Sequence, residues 1–373
     1  MRSTCLLVFV FLFSDACVER YDLPSQITAT RLVVDGMITD SPGPYTVKLS
    51  TSAGVNTTTA TLLPVQSALV IIGDDTGYEE QLEETSPGVY QTHPDGILGE
   101  LGRKYYVKIK TGARQYESQP QELSSPGFIS RLYYVYRENV INQSALELAM
   151  DVPHDVIDVY VDGEGFEDQE NLFRWRWSST YQIQAFPRFR AYRDDRSGAM
   201  VPDPPPCSGF KLREKSKTII DRFGPCTCCE CWTYEDSEQV LLSDNQFVNA
   251  ADFKGVLAAR LPVDHWRFNV KYYMKVEQLS VSEEIYQFWK TLKAQQDGEG
   301  SLFVPNAVRI RGNVHSITDP NEEVLGIFGV STVAWRDFYI TPGDLPKPVS
   351  VDTLKDDCEL ARFRSTNVKP PFW

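Results

Sequence analysis

Histidine is scarce in this sequence: four residues among 373, at His93, His154, His265 and His315. They are far apart, and no two stand at the spacing of a metal-ligand pair. H-E-x-x-H, G-x-S-x-G and the phosphate-binding P-loop are all missing. The segment "GVSTV" beginning at Gly329 lacks the second glycine of a nucleophile elbow. A triad is a matter of geometry and not of chain order, so these absences remove only the motif-bearing hydrolases. The expectation they leave is a protein that is not an enzyme and needs no cofactor. Positive charge is also short: 37 Lys and Arg against 51 Asp and Glu give a formal net charge of -14. The isoelectric point near 4.9 follows. Such a surface repels polyanions, so nucleic acid is not an expected partner.

Long apolar runs are missing except at the start. No segment approaches the ~20 consecutive apolar residues of a membrane-spanning helix. The opening, "MRSTCLLVFVFLFSDACVERYD", has Arg2 as a short cationic region and then Cys5 to Phe13 as an unbroken apolar run. That run suits the hydrophobic region of a signal peptide and is too short to span a bilayer. It ends near Ala16, a small residue directly before Cys17. The pattern resembles a bacterial lipoprotein signal, in which cleavage before the cysteine leaves that residue to carry the lipid. Residues 1–16 then read as signal peptide and 17–30 as a linker, with acyl chains on Cys17 as the deep membrane contact. Ordinary secretion with an incidental Cys17 is the competing reading.

What the chain has in quantity is aromatic and turn chemistry: 18 Tyr, 19 Phe, 7 Trp, 23 Gly and 23 Pro. That composition suits many short strands joined by turns, and the length favours two domains. Between residues 31 and 123 the strands alternate, with Tyr45, Val47 and Leu49 on one face and Tyr105, Val107 and Ile109 on another. Some seven short strands without a helix predict an immunoglobulin-like antiparallel β-sandwich. "SSPGF", Ser124 to Phe128, marks the boundary. Residues 124–341 read as a second β-rich domain, and 342–373 as an irregular tail. In "NLFRWRWSS" the residues Phe173, Trp175 and Trp177 share one face and Arg174 and Arg176 the other. Alternating aromatics of this kind fill a sandwich core more often than they make a carbohydrate platform.

One segment carries helical periodicity. Ile285, Phe288, Trp289 and Leu292 form an apolar stripe, with Ser280 and Glu283 at capping-box spacing before it and Gly298 and Gly300 after it. The whole therefore reads as mainly β, with one amphipathic helix in the second domain. "DGEGFEDQE", Asp162 to Glu170, crowds carboxylates without the ligand order of an EF-hand, and reads as a solvated hairpin loop.

Eight cysteines are present, and six remain once Cys5 and Cys17 are set aside: Cys207, Cys226, Cys228, Cys229, Cys231 and Cys358. An even number in an exported chain favours disulfides. Fifteen pairings are possible. Vicinal Cys228 and Cys229 point to opposite sides of an extended segment and should bond to different partners. Cys207 is a natural partner for one of them, and Cys358 stands where it would pin the tail. A metal reading would use Cys226, Cys228, Cys229 and Cys231. Four ligands in six residues wrap zinc poorly, although Cu(I) tolerates the crowding better. A redox reading lacks the βαβ context of thioredoxin-like motifs.

The stretch from Val276 to Ile340 carries a further signal. "YQFW" at Tyr286 to Trp289, "GSLF" at Gly300 to Phe303, Gly312-Asn313, and "DPNEEVLGIF" at Asp319 to Phe328 recur as a set. With the early "LVVDGMITD" and the "SSPGFI" boundary, they make the chain resemble a family of Bacteroidetes lipoproteins catalogued as domain of unknown function 4249. The resemblance spans nearly the whole mature chain and transfers no catalytic residue. It implies an outer-membrane lipoprotein, surface-exposed or periplasmic, that accompanies a TonB-dependent receptor barrel and binds its ligand or the receptor. A structural or adhesive lipoprotein, and soft-metal binding through the cysteine cluster, are the alternatives.

Overall fold

The computed structural model describes residues 30–52, 62–140, 153–165, 171–243, 252–298, 310, 312–349 and 353–373. Cys17, the signal segment and the "GSLF" turn lie outside these. The chain is mainly β, with several antiparallel sheets and, among the described residues, one α-helix. Twelve strands carry the architecture: β1 (Leu32–Thr39), β2 (Thr46–Thr51), β3 (Leu69–Asp74), β4 (Lys104–Thr111), β5 (Arg114–Ser118), β6 (Phe128–Val140), β7 (His154–Glu164), β8 (Phe173–Gln184), β9 (Glu230–Asp236), β10 (Asp252–Pro262), β11 (Tyr272–Ser280) and β12 (Leu325–Ile340). Helix α1 is Glu283–Gly298.

Alternation decides which faces meet. In β2 and the residue before it, Tyr45, Val47 and Leu49 are all buried, as are Tyr105, Val107 and Ile109 in β4. They meet Val34, Ile38, Val70 and Ile72 in the core of the first sandwich. One sheet of that sandwich holds β1 and β2, extended by the short strands Val89–Gln91 and Glu83–Ser86. The other holds β5, β4 and β3. The second sandwich packs β9, β8, β11 and β12 against β6, β7 and β10. Phe173 and Trp175 are buried in its core, which is the core role that their alternation predicts.

The two cores do not follow one another simply along the chain. β12 has 16 residues, enough at about 3.3 Å each to reach across both sandwiches. Its first half runs parallel to β1, from Val33 opposite Leu325 to Thr39 opposite Ser331. Its second half runs antiparallel to β11, from Ser280 opposite Thr332 to Tyr272 opposite Ile340. At the handover, Asp40 Oδ1 accepts the Val333 N–H at 2.9 Å. Val314, Val324, Phe328 and Val330 are buried in the first core, and Val314–Ser316 adds an edge strand to β5. Residues 312–331 are thus packed with the sandwich of residues 31–123, although the sequence places them in the second domain.

The segment 312–328 is built to make that return. The Asn313 side chain bonds both backbone groups of Phe328: Nδ2 donates to the carbonyl oxygen at 2.8 Å, and Oδ1 accepts the N–H at 2.9 Å. Glu322 accepts from Arg114 at 2.9 Å, the Tyr116 hydroxyl at 2.9 Å and Ser316 at 3.0 Å. Gly326 has φ of 84°, and a Cβ there would stand 1.9 Å from the Val34 carbonyl oxygen.

Helix α1 lies on the outer face of the large sheet. Ile285 and Tyr286 are buried there with Leu279 and Ile327, while Phe288 and Trp289 pack at the edge. The capping-box expectation at Ser280 and Glu283 is corrected: Ser280 is the last residue of β11, where it pairs with Thr332 and Phe173. Ser282 caps the helix instead, its hydroxyl accepting the Ile285 N–H at 3.4 Å.

Candidate functional site

The six cysteines form three disulfides: Cys207–Cys228, Cys226–Cys229 and Cys231–Cys358. The vicinal pair bonds to different partners, Cys228 to Cys207 and Cys229 to Cys226, as expected, although both cysteines lie in a bend before β9 and not in an extended strand. All four residues of the metal reading are therefore committed to sulfur–sulfur bonds and offer no thiolate. Cys231 lies on β9 with its side chain in the second core, and Cys358 is buried beside it. The Pro-rich segment that ends at Cys207 is flanked by two short hairpins, Ala191–Arg193 with Met200–Pro202 before it and Phe210–Leu212 with Ile220–Arg222 after it.

The Cys231–Cys358 bond sets the course of the tail. After Cys358 the chain makes one 3-10 turn, passes Arg362, Phe363 and Arg364, and pairs Ser365 and Thr366 with Thr233 and Trp232 of β9. The tail is less irregular than its prolines predict. The final residue, Trp373, packs edge-on to Trp232 and Tyr339, with Lys271 Nζ 4.2 Å from its ring.

Between this tail, the end of β9 and the edge strand β10 runs a groove of about 710 Å³. That volume is within the roughly 300–1,000 Å³ typical of ligand sites. Trp177, Leu257, Leu261 and Pro262 give it apolar walls. Its floor is an ion-pair network. Arg267 donates to Glu235 through Nε and Nη2, each at 3.0 Å, and its Nη1 binds Asp264. The Tyr181 hydroxyl donates to the same Glu235 carboxylate at 3.2 Å. Burial pushes the Tyr181 phenol well above its ordinary range, and the Glu235 charge adds to the shift. Arg267 is buried too, but the charges of Glu235 and Asp264 outweigh that burial and raise its pKa.

The rim comes from the tail. Arg364 pairs with Asp236 at 2.6 Å, Arg362 stands 5.0 Å from the Trp266 ring centroid, and Phe363 between them is 90% exposed. The Glu235 carboxylate is already occupied by two guanidinium N–H groups and a phenol, which leaves it poorly placed to take a substrate proton. None of the described histidines or cysteines lines the groove.

Sequence reasoning located the cysteines and the tail but missed Tyr181, Glu235, Asp264, Arg267 and Arg362. They come from four separate segments. The one local signal was "DHWR", where Asp264 Oδ1 accepts the N–H groups of Trp266 at 2.9 Å and Arg267 at 2.8 Å, an Asx-type turn. Of the acidic loop at Asp162 to Glu170, residues 166–170 lie outside the described residues; Asp162 accepts the Gly255 N–H at 2.7 Å. Residues 18–336 match the family model described as Domain of unknown function (DUF4249), and the chain belongs to that family. No curated protein matches it.

Proposed function

We propose that this DUF4249 protein is a non-catalytic cell-envelope protein, anchored in the outer membrane through a lipid on Cys17. Its groove binds either the receptor barrel of a TonB-dependent uptake system or that system's ligand. The observation that carries the binding role is the groove itself: a ligand-sized cleft whose rim, Arg362 to Arg364, is a tail held in place by a buried disulfide. A covalently fixed rim lowers the ordering cost of binding, because those residues are immobilised beforehand. The exposed Phe363 ring between two arginines has the character of an interface anchor. The reading of a lipid anchor rests on the apolar run from Cys5 to Phe13 and on small Ala16 directly before Cys17.

The test has two arms. Cys17→Ala should move the protein from the membrane fraction to the soluble one, and retention in the membrane would refute the lipid anchor. Crosslinking in intact cells, followed by affinity purification, should recover a TonB-dependent barrel with the wild type and much less with Phe363→Ser. Recovery of no barrel, or equal recovery with the variant, would refute receptor docking at the groove. Saturable binding of a solute by the purified protein, lost in Phe363→Ser, identifies the ligand arm instead.

A further inference from the structure

Arg174 makes no ion pair among the described residues. On β8 it faces away from the aromatic core, under helix α1, with its guanidinium carbon 3.5 Å from the centroid of the Trp289 ring. Its Nε is buried without a hydrogen-bond partner. No carboxylate among the described residues lies within ion-pairing distance of it. Arg176, two residues on, is different: it pairs with Glu277 at 2.6 Å. A largely buried charge without an ion-pair partner is costly, and proteins seldom keep one that does nothing. Burial, aided by the like charge of Arg176, lowers the Arg174 pKa to about 10, and Asp35 only partly opposes them.

Next to this guanidinium is a cavity of about 240 Å³. It lies over the sheet where β8, β11, β12 and β1 run side by side, and α1 closes one side. About half of its wall is hydrocarbon, from Leu279, Val281, Ile285 and Ile327, and the other half is polar, with Asp35, Arg176 and Ser331 lining it beside Arg174. The volume equals that of roughly eight waters at about 30 Å³ each. A cationic fork at one side of a chamber of this size, with a hydrocarbon wall at the other, describes a ligand: one planar anionic head on a short hydrocarbon body. The guanidinium presents parallel N–H donors that match a carboxylate.

We propose that this cavity is a binding site for a small aliphatic monocarboxylate, with Arg174 receiving the carboxylate and the Leu279–Ile285–Ile327 wall receiving the hydrocarbon. The site is on the opposite face of β8 from the groove and is independent of what the groove or the lipid does.

Titration calorimetry of the purified soluble chain with hexanoate tests it, with hexylamine and inorganic phosphate as probes of the head group. Hexanoate should bind saturably, and neither control should compete with it. Arg174→Gln should weaken hexanoate binding at least tenfold. Arg174→Lys, which keeps the charge and loses the fork, should fall between the two. Near-ultraviolet circular dichroism establishes that each variant is folded. Should Arg174→Gln fail to fold, Ile327→Phe, which fills the chamber and leaves the guanidinium in place, should abolish hexanoate binding. Absence of saturation with the wild type, unchanged affinity in the folded variants, or preference for hexylamine or phosphate would each overturn the assignment.

Discussion

The Asn313 carboxamide pairs with the backbone of Phe328 as a strand would, donating to its carbonyl oxygen at 2.8 Å and accepting its N–H at 2.9 Å. Phe328 lies in the half of β12 that β11 does not reach. One side chain therefore completes the edge that the missing neighbour leaves open. Asn313→Ala would leave two buried backbone groups unsatisfied, at about 1–3 kcal/mol each. The expected loss is about 3 kcal/mol in urea denaturation. Asn313→Asp should be no better, because a carboxylate has no donor for the Phe328 carbonyl. A loss below about 0.5 kcal/mol for both, the range of ordinary surface substitutions, would contradict this account.

Gly326 is the second fixed point of the same return. Its φ of 84° disfavours any side chain, and an added Cβ would lie 1.9 Å from the Val34 carbonyl oxygen. Backbone strain of this kind costs about 1–3 kcal/mol before the clash is counted. Gly326→Ala is expected to lower stability by at least about 3 kcal/mol and to separate β12 from β1. Hydrogen exchange should show the loss of protection first in Val33 to Thr39.

The three disulfides should differ widely in worth. In the chain-entropy account, Cys231–Cys358, with a separation of 127, is worth about 5 kcal/mol and Cys226–Cys229, with a separation of 3, about 2 kcal/mol. Replacing both members of each pair with alanine should reproduce that order in thermal melts. Loss of the long bridge should also open residues 358–373 to protease. Intact mass under denaturing, non-reducing conditions should show six hydrogens fewer than the reduced chain.

Alkaline pH should unfold the protein in a particular way. Tyr136 is raised to about 12 by burial and by its hydrogen bond to Asp155. Tyr181, Tyr272 and Tyr273 are raised further, mainly by burial. A phenol whose folded pKa exceeds its unfolded value of about 10 contributes stability that is complete below pH 10 and is lost as pH rises through the folded value. The absorbance of tyrosinate should therefore rise in two stages. The second stage belongs to these four, which ionise only as the chain unfolds. A single smooth titration near pH 10 with the fold retained would be the contrary result.

The groove and the Arg174 cavity were nearly invisible in the sequence, and for a common reason. Trp177, Glu235, Leu257, Arg267 and Arg362 are brought together by pairing between strands far apart in the chain. Arg174 was legible as one side of an alternating strand. That it makes no ion pair among the described residues depends on which residues α1 and β1 place around it, and a period of two says nothing about that. The Ser280 capping assignment failed for a related reason: tertiary pairing carried β11 two residues further than local signals implied.

By itself the sequence determined what local geometry controls. The alternation of Val47 with Leu49 and of Tyr105 with Val107 and Ile109 marked strands and their inner faces, because the pleat repeats every two residues. The Ile285 to Leu292 stripe marked helix α1, and the vicinal placement of Cys228 and Cys229 pointed to different partners for them. Only the tertiary structure decided that β12 serves two sandwiches, that Cys231 takes Cys358, and that the tail borders a groove. Those choices belong to contacts between residues up to about three hundred positions apart, such as Asp40 with Val333. They are settled by which buried faces and unpaired backbone edges complete one another, a property that no short window of sequence contains.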